Sequence, residues 1–508
     1  MSSLPSYLAA AKPVPAASRA PWYKTVMPTY IGIMLWFVFW QSLGNAGVGE
    51  HGHPAGVLAY GFPTAFLGLI IAATVCHFFF YLAPALLGMR TGLPLYVVGT
   101  STYGANGGRF MPGFLMGLLQ FGWLAVNGAA VAGILCKCFG VGMSEDGLAA
   151  TVPGWPHGII ATVFIIVAAF VGLKGIKYVA RVATYLPLIP VIVLLGLLAL
   201  TASGLSDFTP DKLTAGIPAD SKTVDVGLAP MTHLQIVEIL CVYIVGFFAT
   251  AGAAGADIAS NCRNDNDVHT GGVTGIFLPT VLAGYVVMLI IAGAYNGGMI
   301  QPGNIGNYNP VDLMPDVLQH RFGNARGELI ANFAMIALAI SSFPGACFSS
   351  LIAANSFKTT LPKINPGISV GIGALVAVLL AVSGWAGEIT KVFVVIGASF
   401  GPVCGAMLAD FLLANRKWSG PRAGFNPAGW ISWIVGFIVG AFNLVVQFMV
   451  VLKWDWATKT FPHLADYQDY IPVPPVTAFV VGFALYVVLS VVGVRTRKLL
   501  TPDGKLID

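Results

Sequence analysis

Two hydroxyls stand side by side where an apolar run ends: Ser341 and Ser342 follow Phe333 to Ile340 and precede Phe343-Pro344-Gly345. Small hard cations take oxygen ligands, and adjacent hydroxyls ahead of a helix breaker suit such an ion better than they suit lipid. The competing role is packing, since serines also join membrane helices by hydrogen bonds. A second constellation is Gln120, Trp123 and Asn127, whose three- and four-residue spacing puts them on one helix face. An amide, an indole and another amide suit a flat heterocycle, which stacks on the ring while its edge pairs with groups that both donate and accept. The alternative is a helix contact with satisfied amides. Further along, Phe247-Phe248-Ala249-Thr250 offers a second aromatic for the other face of a planar ligand and a hydroxyl for its edge. Phenylalanines facing lipid are the alternative there.

The elements that must position these residues are membrane helices. Hydrophobic residues are 56% of the 508, charged ones 9%, and mean hydropathy is +0.80. Apolar stretches of about 20 residues cross a hydrocarbon core, so the fold class is an all-α polytopic membrane protein. We count twelve spans, at 26–49, 57–88, 110–138, 155–175, 184–204, 234–259, 273–299, 328–356, 366–386, 390–413, 428–453 and 473–494. With the N-terminus inside, 18 of the 26 lysines and arginines fall on the inner side and 8 on the outer. That bias predicts cytoplasmic N- and C-termini in a multi-pass cell-membrane protein, and the net charge of +5 speaks to topology rather than to nucleic acid. Lys12, Arg19 and four prolines precede the first apolar run, so the first span is expected to act as its own insertion signal.

Comparable features recur at an offset of about 210 residues, and a unit of five spans repeated must enter the membrane from the opposite side the second time. The expected layout is therefore an inner segment at 1–25, a first repeat at 26–204, an outer loop at 205–233, a second repeat at 234–413, two added helices within 428–494 and a tail at 495–508. This 5+5 inverted-repeat core is of amino-acid-transporter type, with discontinuous helices 1 and 6. Their breaks are expected at Trp40–Gly47 and Thr250–Asp257, where glycine lets the backbone unwind. Of the acids within spans, Asp257 and Asp410 are expected to pair with or cap near Arg263 and Arg416, and Glu238 has no evident partner. His77 lacks a spaced metal-ligand partner, and the seven cysteines form no CxxC. No Walker A sequence supports ATP-driven transport, and neither a catalytic cluster nor a sizeable soluble domain supports an enzyme or receptor.

In order along the chain come Arg90-Thr91-Gly92-Leu93 with Tyr103-Gly104, Gln120-Phe121-Gly122-Trp123, Ala256-Asp257 after a glycine-rich break, Gly401-Pro402-Val403-Cys404-Gly405, Ala409-Asp410-Phe411 and Asn415-Arg416-Lys417. This series resembles the nucleobase:cation symporter family of cytosine permeases and hydantoin transporters. The resemblance implies alternating access and assigns Trp123 as the stacking ring, Gln120 and Asn127 as edge amides, Phe248 with its neighbour Phe247 as the second aromatic, and Thr250 as a hydroxyl contact. Phe343 and Gln41 are expected as further substrate contacts. It also implies a Na⁺ site made by the Leu338 carbonyl with the Ser341 and Ser342 hydroxyls, completed by helix 1 carbonyls. The chain departs from the family in helix 8, where Leu338, Phe343 and Cys347 stand at positions that include a substrate-binding asparagine in relatives. The expected activity is import of a nucleobase or related planar heterocycle by a monomeric symporter with no cofactor, driven by Na⁺. A proton-coupled permease and an amino-acid or amine carrier on the same fold are the alternatives.

Overall fold

The computed structural model describes residues 4–46, 54–142, 154–175, 185–215, 217, 232–452, 456, 460–461 and 463–499. The end of the first expected span (47–49), residue 184, most of the expected outer loop 205–233 and the tail beyond 499 lie outside them. Helices α1 (Val26–Met34) and α2 (Phe37–Gln41) divide the first expected span, and α3 (Gly61–Thr91), α4 (Arg109–Phe139), α5 (Trp155–Leu173) and α6 (Leu188–Thr201) follow. Helices α7 (His233–Ala253) and α8 (Gly255–Ala259) divide the sixth, and α9 (Asp265–Asn296) is the seventh. A peripheral α10 (Pro310–Phe322) leads into α11 (Asn324–Ser341) and α12 (Phe343–Thr360). The chain then forms α13 (Pro366–Val382), α14 (Ile389–Leu413), α15 (Pro427–Val451) and α16 (Pro474–Val491). Among the described residues nine helical stretches are long and apolar enough to cross a membrane, with two shorter apolar helices at Leu188–Gly204 and Pro366–Val382. Those residues contain no strand, only two isolated bridges, Ala20 with Cys262 and Arg422 with Lys498.

Which helices face the surroundings follows from their exposed stripes. In α5, Ile159, Val163, Ile166 and Phe170 recur every three or four residues and all are exposed, as are Ile368, Ile372, Leu375 and Leu379 of α13. Water would make such stripes costly, whereas hydrocarbon accepts them. The central helices α7 and α14 instead bury their large side chains, including Tyr243, Phe247, Phe248, Phe393 and Phe400. Glycine permits the tightest approach. A Cβ on Gly88 of α3 would overlap the backbone of Ala256 in α8.

Helix 1 is interrupted twice. The glycine-bearing stretch expected to unwind does end the helix, since α2 stops at Gln41 and Ser42 to Ala46 are turns, with Gly47 outside the described residues. An earlier break not foreseen lies at Leu35 and Trp36, where Trp36 is extended (φ −62°, ψ 131°) without any glycine. Side chains meet the loosened backbone: the Trp40 indole Nε1 donates to the Leu35 carbonyl at 3.0 Å and the Tyr243 hydroxyl to the Phe39 carbonyl at 2.8 Å. Buried carbonyls need such partners, so aromatic donors do here what glycine flexibility alone would not. The interruption of helix 6 falls at Ala254 (φ −62°, ψ −9°), inside the expected stretch, and the Tyr30 hydroxyl donates to the nearby Ala251 carbonyl at 2.8 Å.

Both expected acid–arginine pairings are corrected by the structure. Asp257 accepts the Leu95 backbone N–H at 3.2 Å, and Arg263 pairs instead with Asp267 at 2.9 Å, one turn along its own segment. Asp410 accepts from the Tyr486 hydroxyl at 2.8 Å and the Ser419 hydroxyl at 3.2 Å, and its cationic neighbour is Arg422 at 3.6 Å rather than Arg416. Arg416 sits at φ 61°, in a turn that leads away from the helix end. Glu238 is half-buried near the start of α7.

Candidate functional site

Trp123 lies midway along α4, buried, with its Nε1 donating to the Thr250 hydroxyl of α7 at 3.0 Å. The resulting pin fixes the indole plane and leaves the threonine proton free to donate elsewhere. Three rings surround Trp123: Phe247 at 5.2 Å and nearly perpendicular, Phe393 of α14 at 5.5 Å, and Trp36 at 6.0 Å and 65°. Phe247 also meets Phe393 at 5.4 Å and Phe39 at 4.7 Å, so four elements close one aromatic cage. The ring that meets Trp123 is thus Phe247, whereas Phe248 faces the other way and packs on Tyr30 at 5.8 Å. Consecutive residues on a helix point about 100° apart, which is why only one of the pair can line the cage.

The amides differ in how well they are satisfied. Asn127 is buried one turn past Trp123, donates from Nδ2 to the Trp123 carbonyl at 3.0 Å, and finds no partner for Oδ1 among the described residues. A Cβ added at Gly345 of α12 would lie 3.8 Å from that oxygen, so α12 faces it across a glycine. Gln120 is buried one turn earlier and its Nε2 lies 3.5 Å from the Met116 sulfur, a weak acceptor. Phe343 packs edge-on against Phe164 of α5 at 5.8 Å, outside the cage, and Gln41 is buried at the end of α2.

The serine pair sits where α11 meets α12. Ser341 donates to the Leu338 carbonyl at 2.7 Å, and all three residues are buried. Pro344 follows at the first turn of α12 and lacks the amide that would otherwise bond the Ile340 carbonyl. Ser342 accepts a hydrogen bond at 2.8 Å from the Trp36 indole, whose ring belongs to the cage. Trp36, Phe39 and Phe393 were not singled out in the sequence. The signal for Trp36 was there in outline, since a tryptophan pair spaced by four, Trp36 and Trp40, marks the helix segment Phe37–Gln41 that lies between the two breaks.

Helices of this kind, broken at two places around a polar and aromatic centre, define a membrane carrier of the secondary-transporter type. A family profile described as permease for cytosine/purines, uracil, thiamine, allantoin matches residues 32–453, and the chain belongs to that family. Among solved structures, the inward-facing form of Mhp1 is similar at a TM-score of 0.61 and 15% identity, covering 97% of this chain and 94% of that one. Mhp1, a nucleobase-cation-symport-1 family transporter, closed with bromovinylhydantoin bound, gives 0.59 and 14% over 94% and 92%. A Na⁺-coupled sialic acid symporter in a substrate-bound outward-open state gives 0.55 and 12% over 95% and 92%. At these identities the likeness is one of fold. A search of curated proteins by sequence returns no match.

Proposed function

We propose that this chain is a cell-membrane symporter importing a nucleobase or related planar heterocycle, coupled to a cation, with Na⁺ as that cation, by alternating access of a twelve-helix, 5+5 inverted-repeat fold. The termini are cytoplasmic and the monomer is the working unit. The reading rests above all on Trp123: its indole is pinned edgewise by Thr250 while Asn127 Oδ1, one turn away, is buried without a donor among the described residues. A buried acceptor left unpaired costs about 1–3 kcal/mol, which a ligand N–H would recover. A flat ring carrying an N–H beside a carbonyl meets that need and stacks on the indole as well, whereas an aliphatic amino acid, whose ammonium also donates, has no ring to stack. The Leu338 carbonyl with the Ser341 and Ser342 hydroxyls offers oxygen alone, the ligand type alkali cations take.

The test is uptake of labelled cytosine, uracil, hypoxanthine, allantoin and hydantoins into vesicles with and without a Na⁺ gradient. Uptake of at least one of these, raised by inward Na⁺, is expected. Trp123→Ala should abolish it while the protein still inserts. Transport insensitive to Na⁺ but collapsed by a protonophore would replace the ion by H⁺, and unchanged kinetics in Trp123→Ala would remove the stacking model.

A further inference from the structure

Trp36 touches both halves of the site at once. Its Nε1 donates to Ser342 Oγ at 2.8 Å, while its ring lies 6.0 Å from Trp123 and 6.2 Å from Phe247. The residue occupies the extended link between α1 and α2, where turn bonds tie its N–H to the Ile33 carbonyl at 3.3 Å and its carbonyl to the Phe39 N–H at 3.0 Å, while the contacts above hold its side chain. Ser342, by contrast, is fully buried on the α11–α12 junction.

We infer that Trp36 is the positioning residue that couples ion binding to substrate binding, because its indole N–H and the cation compete for Ser342 Oγ. The inference rests on the ion site proposed above. A hydroxyl oxygen that accepts an N–H presents its electron density to the positive end of that dipole, and a cation at the same oxygen repels it. With the ion absent, the bond holds Trp36 against Trp123 and Phe247 and the cage is narrowed by a ring. With the ion on Ser341, Ser342 and the Leu338 carbonyl, the N–H loses its acceptor, Trp36 is released from the cage, and the face of Trp123 is freed for a planar ligand. Linkage makes the effect reciprocal: substrate seated on Trp123 displaces Trp36 and leaves Ser342 Oγ to the ion. The backbone bonds of Ser342, from its amide to the Leu338 and Ala339 carbonyls and from the Ala346 N–H to its own carbonyl, do not engage the hydroxyl.

The experiment measures binding of the transported heterocycle to purified protein at zero and saturating Na⁺, and the Na⁺ concentration giving half of the change. Wild type should bind substrate more tightly with Na⁺. Trp36→Phe keeps a ring and removes the donor. It should lower the half-saturating Na⁺ by about three- to tenfold, the worth of one hydrogen bond, and bring the ratio of substrate affinities with and without Na⁺ toward one. In a Ser342→Ala background the same substitution should produce no further change in that ratio, which a purely structural role for the indole would not predict. Should Trp36→Phe fail to fold, Trp36→Tyr, whose hydroxyl lies on a different vector, carries the same expectation. Wild type with a clear Na⁺ effect and Trp36→Phe with an identical ratio overturns this inference alone. Wild type with no Na⁺ effect overturns the ion site and this inference with it.

Discussion

At the residue scale, the site divides into groups that are paired and groups that wait. Thr250 is paired, since it accepts from Trp123, and replacing it by valine removes the acceptor at nearly constant volume. The Thr250→Val protein should bind substrate about three- to tenfold more weakly, near ~1 kcal/mol, since the loss is one hydrogen bond and the orientation it imposes on the indole. Isothermal titration of the purified protein decides this, and an unchanged Kd would show that the indole is oriented by packing alone. For the ion, Ser341→Ala combined with Ser342→Ala deletes two of the three oxygens that α11 and its junction with α12 would supply. Half-saturating Na⁺ should rise at least about tenfold, because a contact to a charged group is worth roughly 1.5–3 kcal/mol. A double variant that responds to Na⁺ as wild type does would exclude the pair as ligands. The spacing of Gln120, Trp123 and Asn127 made their shared face legible in the sequence, as did the adjacency of the two serines. Which of Phe247 and Phe248 meets Trp123 was not legible, because it depends on the rotation of α7 about its own axis, and that is set by contacts with α1, α3 and α14 distant in the chain.

At the element scale, positions of breaks and close crossings control how the site is held. The all-helical class, with nine span-length stretches among the described residues, was legible from composition, since hydrocarbon enforces one solution for each apolar stretch. The break at Leu35 and Trp36 was not. No glycine or proline marks it, and what stabilises it is a set of aromatic donors, Trp40 at hand and Tyr243 from α7, that only the assembled fold brings into place. The α3–α8 crossing was equally hidden, because a glycine among 61 does not announce which one admits another helix. Gly88 does so against Ala256, and α8 carries Asp257 to the Leu95 amide. Gly88→Val should therefore force α8 away, at a cost of about 1–3 kcal/mol as for other overpacked interiors. A fall in the thermal unfolding midpoint measures it. Gly122→Ala, on α4 where an added Cβ meets nothing within 4 Å, is the control and should hold or raise the midpoint. Equal midpoints for the two variants would mean that the α3–α8 contact is not tight in the protein.

At the scale of the whole molecule, residues 4–25 lie as a strap that ties together segments next to α3, α4 and α9. Val14 N–H bonds the Gly92 carbonyl at 2.9 Å, Arg19 the Met89 carbonyl at 2.7 Å, Ala20 N–H the Asn261 carbonyl at 2.8 Å, and Trp22 N–H Asp267 Oδ1 at 3.2 Å. The Tyr7 hydroxyl donates to the Ala105 carbonyl, and Arg109 at the start of α4 lies over the Tyr7 ring. Opening the face on which the strap lies is expected to require the strap to release at least one of these fastenings when the carrier turns toward that side. Cys262 reports on it, being fully buried beside Ala20 with its sulfur 3.3 Å from the Thr25 hydroxyl. Burial pushes the Cys262 thiol above its ordinary range, so at neutral pH the reactive thiolate is scarce and modification should quicken as pH rises. Arg19→Ala removes one fastening. In a protein whose other six cysteines are replaced, it should speed maleimide labelling of Cys262 several-fold at pH 7. Burial raises the Cys262 pKa while the Arg19 charge lowers it, so the substitution relieves one and removes the other, and the labelling rate at fixed pH is the readout. Substrate analogues that hold the opposite face open should slow labelling in both proteins. If Arg19→Ala labels at the wild-type rate across the pH range, the strap does not gate this face, and the opening motion must pass beneath it with residues 4–25 carried along on α3.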